Sequence, residues 1–157
     1  MKSIARLAAV VALTLAPVVA AAEVPRTELQ LGRNSSGSVE AYLRYIGTPS
    51  VWVLQPVYGV SWSSQGEGWA GVGLAWTWRT AATGPFLRAS VMPGLYRRGD
   101  GRDLGGSFII RSGLDLGYTL HGGATVTLSI SHRSNAGLKA TNTGMNTISL
   151  GLSIPFR

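Results

Sequence analysis

The chain has 157 residues, a net charge of +7 at pH 7 and no cysteine, so it is long enough for one domain and has neither disulfide bonds nor thiolate metal ligands. Only 13% of its residues are charged and 21 are glycine, whereas about a quarter of the residues in a typical soluble domain are charged. The few charges, the many glycines and the scattered aromatic residues favour a barrel whose outer surface faces lipid.

The first 22 residues have the pattern of a secretory signal peptide. Lys2 and Arg6 form a short basic start, an apolar run follows over residues 7–19, and Ala20-Ala21-Ala22 precede Glu23. This order is typical of an exported precursor that is cleaved after a small-residue motif. The apolar run is shorter than the roughly 20 residues that a spanning helix needs. We therefore expect residues 1–22 to be removed and residues 23–157 to form the mature domain.

The mature part alternates between apolar and polar or small residues with the period of two that β-strands have. Turn-forming residues divide it into eight candidate strands, which begin near Thr27, Ser38, Ser50, Gly68, Pro85, Gly106, Gly123 and Asn146. Their lengths suit a tilted membrane strand, which needs about 9 to 11 residues. We predict an all-β fold, an eight-stranded antiparallel transmembrane β-barrel of the outer-membrane type.

The loop lengths set the expected orientation of this barrel. With the N-terminus in the periplasm, the inner turns lie at residues 47–49, at 81–84 and around His121, and all are short. The outer loops include residues 97–105 and 135–145, which are the longest, as in outer-membrane barrels. The apolar faces then meet lipid, with Trp52 and Trp62 near opposite ends of one outward face. Inward-pointing charges would pair and plug the lumen; they are Glu40, Arg44, Arg79, Arg88, Arg111 and Asp115.

One predicted strand carries a histidine and a serine on its lipid-facing side. His132 and Ser134 share the parity of Val126, Leu128 and Ile130, and Asn146 shares the parity of the apolar residues of the last strand. If these two strands form a hairpin, His132 and Asn146 lie opposite each other, with Cβ atoms about 5 Å apart. A histidine that accepts the serine proton makes Ser134 a nucleophile toward an ester carbonyl. The alternative is that these polar side chains only meet lipid headgroups.

The segment Ser131-His132-Arg133-Ser134-Asn135-Ala136-Gly137-Leu138, followed by Asn142-Thr143-Gly144 and a closing strand, resembles the lipid A 3-O-deacylases of the PagL type. These are eight-stranded outer-membrane barrels that hydrolyse the ester-linked acyl chain at the 3-position of lipid A. The resemblance is sharpest over residues 129–156 and is looser but colinear over residues 85–118.

The resemblance implies a role for each matching residue. His132 corresponds to the general base and Ser134 to the nucleophile, while Asn135, through its backbone N–H, and Asn142 correspond to the oxyanion hole. The family's glutamate that holds the histidine is replaced by Asn146 in this chain. An amide orients a histidine but does not stabilise the imidazolium as a carboxylate does. This departure leaves open a slower deacylase, a different ester preference, or a barrel that has lost the chemistry.

Basic residues near the outer rim are suited to a phosphate-bearing substrate. They are Arg97, Arg98, Arg102, Arg133 and Lys139, and arginine contacts phosphate well. A solvated loop is the alternative, because Asp100 and Asp103 partly offset the charge. The resemblance implies lipid A or lipopolysaccharide as the partner, without a cofactor, in the outer membrane of a Gram-negative bacterium. We expect neither a metal site, since His132 has no carboxylate or thiol nearby, nor nucleic-acid binding, since the basic residues are scattered.

The resulting hypothesis is an outer-membrane serine esterase, a carboxylic ester hydrolase similar to lipid A deacylases. One alternative is a non-catalytic barrel that binds lipopolysaccharide or has a structural role, as the amide at position 146 suggests. A second alternative is a soluble periplasmic barrel that binds a small hydrophobic molecule. The oligomeric state stays open, and a homodimer is one possibility.

Overall fold

The computed structural model describes residues 23–156, so the predicted signal peptide lies outside the described residues. The described chain forms eight strands: β1 (Arg26–Asn34), β2 (Val39–Ile46), β3 (Leu54–Ser63), β4 (Gly68–Arg79), β5 (Gly84–Arg97), β6 (Phe108–Thr119), β7 (Thr125–Ser134) and β8 (Met145–Pro155). Neighbouring strands pair antiparallel, and β8 pairs with β1 to close a barrel. The prediction of an all-β, eight-stranded antiparallel barrel is confirmed. No helix within residues 23–156 is long and apolar enough to cross a membrane.

The turn between β2 and β3 differs from its prediction. The sequence predicts that the strand begins near Ser50, but Val51 forms an isolated bridge with Leu54, and β3 begins only at Leu54. The turn therefore spans residues 47–53. Trp52, expected on an outward strand face, lies in this turn with a left-handed backbone and a side chain that is 96% exposed. Trp62 lies near the opposite end of β3, on its outward face, as expected.

The outer surface of the barrel is apolar on every strand. Burial alternates residue by residue, and the exposed positions carry mostly aliphatic and aromatic side chains, such as Leu29, Leu43, Val60, Val72, Val91, Leu116, Leu128 and Leu150. At the short-turn end of the barrel Tyr45 packs against Tyr58 and Phe156. Soluble proteins rarely expose a continuous apolar surface of this extent, whereas a barrel in lipid requires one. The soluble alternative is therefore wrong, and the surface faces a bilayer.

The interior of the barrel is filled by paired charges. Arg44 lies between Glu28 and Asp115, and Arg88 pairs with the same two carboxylates. Nearer the long loops, Glu40 pairs with Arg111 and with Arg133. Buried charges are tolerated when each has an opposite partner. The cavity among these side chains measures about 10 Å³, too small for a file of water, so the expected ion pairing in a plugged lumen is confirmed.

The longer loops are tied together at one end of the barrel, which we call the loop end. The buried carboxylate of Glu67 accepts hydrogen bonds from the side chains of Asn34 (2.9 Å) and Ser38 (3.1 Å) and from the backbone N–H of Arg102 (3.0 Å). Burial alone would raise the pKa of Glu67, but these hydrogen bonds outweigh it and hold the pKa below its ordinary value. One carboxylate thus links three loops and orders the segment that packs beside the end of β7.

Candidate active site

Strands β7 and β8 place His132 directly opposite Asn146 on the outer face of the barrel. The Nδ1 atom of His132 lies 2.7 Å from Oδ1 of Asn146. With the amide oxygen as acceptor, Nδ1 carries the proton and Nε2 keeps its lone pair. This is the tautomer in which Nε2 takes a proton from a nucleophile. The predicted convergence of these two side chains is therefore present, and the strand register produces it.

Gly144 lets the imidazole ring lie close to the loop. Its φ of +60° is in the left-handed region, and a Cβ atom at this position would lie 2.9 Å from Cε1 of His132. A side chain there would push the ring away from Asn146, since 2.9 Å is well inside van der Waals contact. The backbone of the loop thus forms one wall of the site.

Ser134 follows His132 by two residues and faces the same side of the sheet. Two residues along a strand span about 7 Å, and within residues 23–156 no hydrogen bond joins the His132 ring to the Ser134 hydroxyl. The Oγ atom of Ser134 instead accepts the backbone N–H of Ala136 at 3.4 Å. Catalytic hydrogen bonds are often long before substrate binds and tighten afterwards.

The two asparagines expected at the oxyanion hole contact each other. The backbone N–H of Asn135 donates to Oδ1 of Asn142 at 3.2 Å. The buried side chain of Asn135 donates to the carbonyls of Leu104 and Thr141. An anion that displaced the amide oxygen of Asn142 would meet the Asn135 N–H beside Ser134. The N–H of Ala136, a donor that sequence reasoning missed, already points at Ser134 because Ala136 has a left-handed φ of 53°.

The basic residues predicted at the rim divide into two groups. Arg97, Arg98 and Lys139 are exposed at the loop end, and Arg98 pairs with Asp103 at 3.4 Å. Arg102 is half-buried and donates to the carbonyls of Gly144 (3.1 Å) and Ser35 (3.4 Å). It therefore ties one loop to the backbone that flanks the histidine.

Arg133 does not lie at the rim, and its assignment to phosphate binding is wrong. It stands between the outward-facing His132 and Ser134, so the period of two turns its side chain inward. The guanidinium is buried in the lumen, where it pairs with Glu40 and donates to Thr147.

Ser112 is a further side chain of this face that sequence reasoning missed. It lies on β6 directly opposite His132, on the side away from Asn146. The alternation through Leu114 and Leu116 predicts that Ser112 faces outward, but its position relative to His132 depends on the β6–β7 register.

The chain matches the family model "Lipid A 3-O-deacylase (PagL)" over residues 37–155. Among solved structures it is similar to the crystal structure of the outer membrane enzyme PagL, with 21% identity, coverage of 83% of this chain and 99% of that chain, and a TM-score of 0.73. It is also similar to a de novo designed transmembrane β-barrel (10% identity, 85% and 95% covered, TM-score 0.64) and to Neisserial surface protein A (12% identity, 87% and 100% covered, TM-score 0.54).

Comparison with curated proteins gives no match. At these identities the structural likenesses show the fold. The family model covers three quarters of the chain, including His132, Ser134 and Asn146, and with it the barrel and its location are those of an outer-membrane protein. The chain belongs to the lipid A 3-O-deacylase (PagL) family of outer-membrane β-barrels.

Proposed function

We propose that the protein is a serine esterase that removes the ester-linked acyl chain from the 3-position of lipid A, with Ser134 as the nucleophile and His132 as the general base. The observation that carries the proposal is the His132–Asn146 pair on the lipid-facing surface, 2.7 Å apart and on the same face as Ser134. Polar side chains on a lipid-facing surface are costly and are typically functional. His132 supplies a base, Asn146 orients it, and Ser134 supplies a hydroxyl.

In the proposed reaction, Oγ of Ser134 attacks the ester carbonyl carbon while Nε2 of His132 takes the hydroxyl proton. The carbonyl oxygen becomes an oxyanion and displaces the amide oxygen of Asn142 from the Asn135 N–H. The backbone N–H groups of Asn135 and Ala136 then stabilise it, and the Nδ2 amide of Asn142 assists as a third donor. The bond between the carbonyl carbon and the sugar oxygen then breaks, and the imidazolium gives its proton to the departing sugar oxygen. A water molecule, deprotonated by His132, attacks the acyl-serine. The bond to Oγ of Ser134 then breaks, the imidazolium returns the proton to Oγ, and the fatty acid is released.

The placement of the site agrees with a substrate that never leaves the membrane. The side chains of His132, Ser134 and Asn146 lie on the outer wall, so the acyl chain of a lipid in the outer leaflet reaches Ser134 by lateral diffusion. The exposed cations Arg97, Arg98 and Lys139, together with the half-buried Arg102, lie at the loop end, where the lipid A phosphates would be. We assign these four residues to phosphate contact.

Export with removal of residues 1–22 is part of the same proposal.

Mass spectrometry of lipid A tests the proposed activity. Cells that produce the wild-type protein are expected to lose one 3-hydroxy fatty acid from the 3-position, and cells that produce Ser134→Ala are expected to retain it. Heat-modifiable migration on gels, which reports a folded barrel, serves as the control for both proteins. Deacylation by the Ser134→Ala variant equal to that of the wild type would contradict the proposal.

Asn146 favours a second candidate, a barrel that binds lipopolysaccharide without cleaving it. An amide next to the histidine lacks the negative charge that stabilises the imidazolium during attack. Unchanged lipid A in cells with a folded barrel in the outer membrane, together with retention of lipopolysaccharide by the purified protein, would support this candidate.

A further inference from the structure

A short row of polar side chains crosses three neighbouring strands on the lipid-facing surface. Ser112 on β6 faces His132 on β7, which faces Asn146 on β8. The next outward residues toward the short-turn end are aliphatic and more than half exposed; they are Leu114, Ile130 and Ile148. On the far side of Ser112 the neighbouring residue on β5 is Val91, which is equally exposed. The row therefore lies directly above these three aliphatic residues, which we call the aliphatic belt, while on β6 the next outward residue toward the loop end is Ile110.

The hydroxyl of Ser112 has no protein partner within residues 23–156. His132 uses Nδ1 for Asn146, and Ser134 accepts from Ala136, whereas Ser112 is half-buried and takes part in none of the side-chain hydrogen bonds there. A hydroxyl without a partner at the edge of hydrocarbon is unfavourable. An aliphatic residue at this position would match its neighbours Leu114 and Val91. The serine thus offers an unused donor and acceptor to a ligand on this surface.

The position of Ser112 relative to Ser134 indicates which part of a ligand it meets. Ser134 faces Ile110 across the ladder, so Ser112 is its diagonal neighbour on the side of the aliphatic belt. Diagonal Cβ atoms on one face of a sheet are about 7 Å apart. An acyl chain whose carbonyl carbon reaches Ser134 and that extends toward Leu114 runs past Ser112. A group on the third carbon of that chain comes within one hydrogen bond of the Ser112 hydroxyl.

We propose that Ser112 is a specificity-determining residue whose hydroxyl hydrogen-bonds the 3-hydroxyl group of the acyl chain that is cleaved. The inference rests on the proposed function, because the reaction at Ser134 fixes where the carbonyl end of the acyl chain lies. A 3-hydroxyacyl ester satisfies both hydroxyls, whereas an unsubstituted acyl ester leaves Ser112 without a partner. Ser112 takes no proton from Ser134 and forms no covalent intermediate; it selects among esters that Ser134 attacks.

Two matched esters and two isosteric variants test the role of Ser112. The esters are glucosamine lipids that carry either a 3-hydroxytetradecanoyl or a tetradecanoyl group at the 3-position, presented in mixed micelles to the purified full-length barrel. Thr and Val have the same shape and suit a strand, so Ser112→Thr and Ser112→Val differ only in the hydroxyl. The readout is the ratio of kcat/KM for the hydroxyacyl ester to kcat/KM for the plain ester.

We expect a ratio of about three to ten for the wild type and for Ser112→Thr, as for one neutral hydrogen bond, and a ratio near one for Ser112→Val. An unaltered ratio in Ser112→Val, or no preference in the wild type, would overturn the inference while leaving the deacylase proposal intact. Binding of the same two esters to Ser134→Ala, with and without Ser112→Val, is measured in parallel. If the wild type cleaves neither ester, the proposed function fails. Tighter binding of the hydroxyacyl ester that is lost in Ser112→Val would then still support the role of Ser112, and equal binding of the two esters would contradict it.

Discussion

His132 and Asn146 face each other across β7 and β8, with Nδ1 and Oδ1 2.7 Å apart. The amide oxygen is a good acceptor for the N–H of a neutral imidazole, but it brings no negative charge when the ring becomes an imidazolium. Asp115 does not substitute, because its carboxylate is buried in the lumen and paired with Arg44. Among residues 23–156, therefore, the ring of His132 is oriented by an amide and pairs with no carboxylate.

Replacing Asn146 with glutamate is expected to raise kcat/KM for the ester about tenfold or more. The added carboxylate lies opposite His132 and stabilises the charge that develops on the ring in the transition state. Initial rates of fatty acid release in mixed micelles measure the effect. Asn146→Gln is the matched control, because glutamine has the reach of glutamate without its charge. An equal gain in both variants would assign the effect to reach, and no gain in Asn146→Glu would contradict the role of the missing charge.

Gly144→Ala is expected to lower kcat about tenfold without unfolding the barrel. The new Cβ atom would lie 2.9 Å from Cε1 of His132, so the ring must move away from Asn146. The left-handed backbone adds a strain of about 1 kcal/mol. Gly122→Ala is the control, since Gly122 also has a positive φ but no atom lies within 4 Å of its added Cβ. Turnover and thermal unfolding are measured for both variants; equal losses of turnover would show that strain, and not contact with the ring, is responsible.

The barrel and the His132–Asn146 pair could be predicted from the sequence because both follow from the alternation of residue types with a period of two. A slip of one residue in β8 would turn Ile148 and Leu150 into the charged lumen, so burial specifies the register strongly. The same rule places Arg133 in the lumen, where Glu40 compensates its charge. Its closeness to the loop predicts a position at the rim, which is wrong because the alternation of the strand decides where the side chain points.

The remaining parts of the site depend on loop geometry, which periodicity does not describe. Ser112 meets His132 because the turn at residues 120–124 sets the β6–β7 register. Ala136 points its N–H at Ser134 through an unusual backbone angle. Arg102 contacts the Gly144 carbonyl, 42 positions away in the sequence, through the folding of a long loop. No pattern in the amino-acid sequence predicts any of these three contacts.

Arg102→Gln is expected to lower kcat severalfold and to increase the mobility of the loop at residues 135–144. The guanidinium bonds the carbonyls of Gly144 and Ser35, and glutamine is too short to keep both. Turnover and amide hydrogen exchange of the loop measure the two effects. Arg98→Gln removes an equal charge from the same loop, but Arg98 is exposed and pairs only with Asp103 and Gly101 among the described residues. Both variants lose a cation assigned to phosphate contact, so exchange of the loop distinguishes the two roles of Arg102. If exchange at residues 135–144 is no faster in Arg102→Gln than in Arg98→Gln, Arg102 acts as a charge toward lipid and not as a link between loops.

The loop end is expected to loosen in acid because of Glu67. Its pKa in the folded protein is lowered by hydrogen bonds from the Arg102 backbone N–H and the side chains of Ser63, Ser38 and Asn34, which outweigh burial. A carboxyl with a depressed folded pKa stabilises the fold fully above its unfolded pKa of about 4.3, and it loses this contribution as pH falls through the lower folded value. The stabilisation is therefore complete at pH 7 and declines below about pH 4.

Amide exchange protection of residues 98–107, corrected for the intrinsic pH dependence of exchange, measures this loosening between pH 7 and pH 3. Protection in the wild type is expected to fall over the acidic part of this range, because a protonated Glu67 no longer accepts all its hydrogen bonds. Glu67→Gln keeps the shape of the side chain without its charge, so it is expected to show low protection at pH 7 and little further change in acid. Wild-type protection that stays constant down to pH 3 would mean that the three loops are held by contacts other than this carboxylate. The contacts between Thr143 and the Asp103 carbonyl and between Asn135 and the Leu104 carbonyl would then carry the ordering of the site.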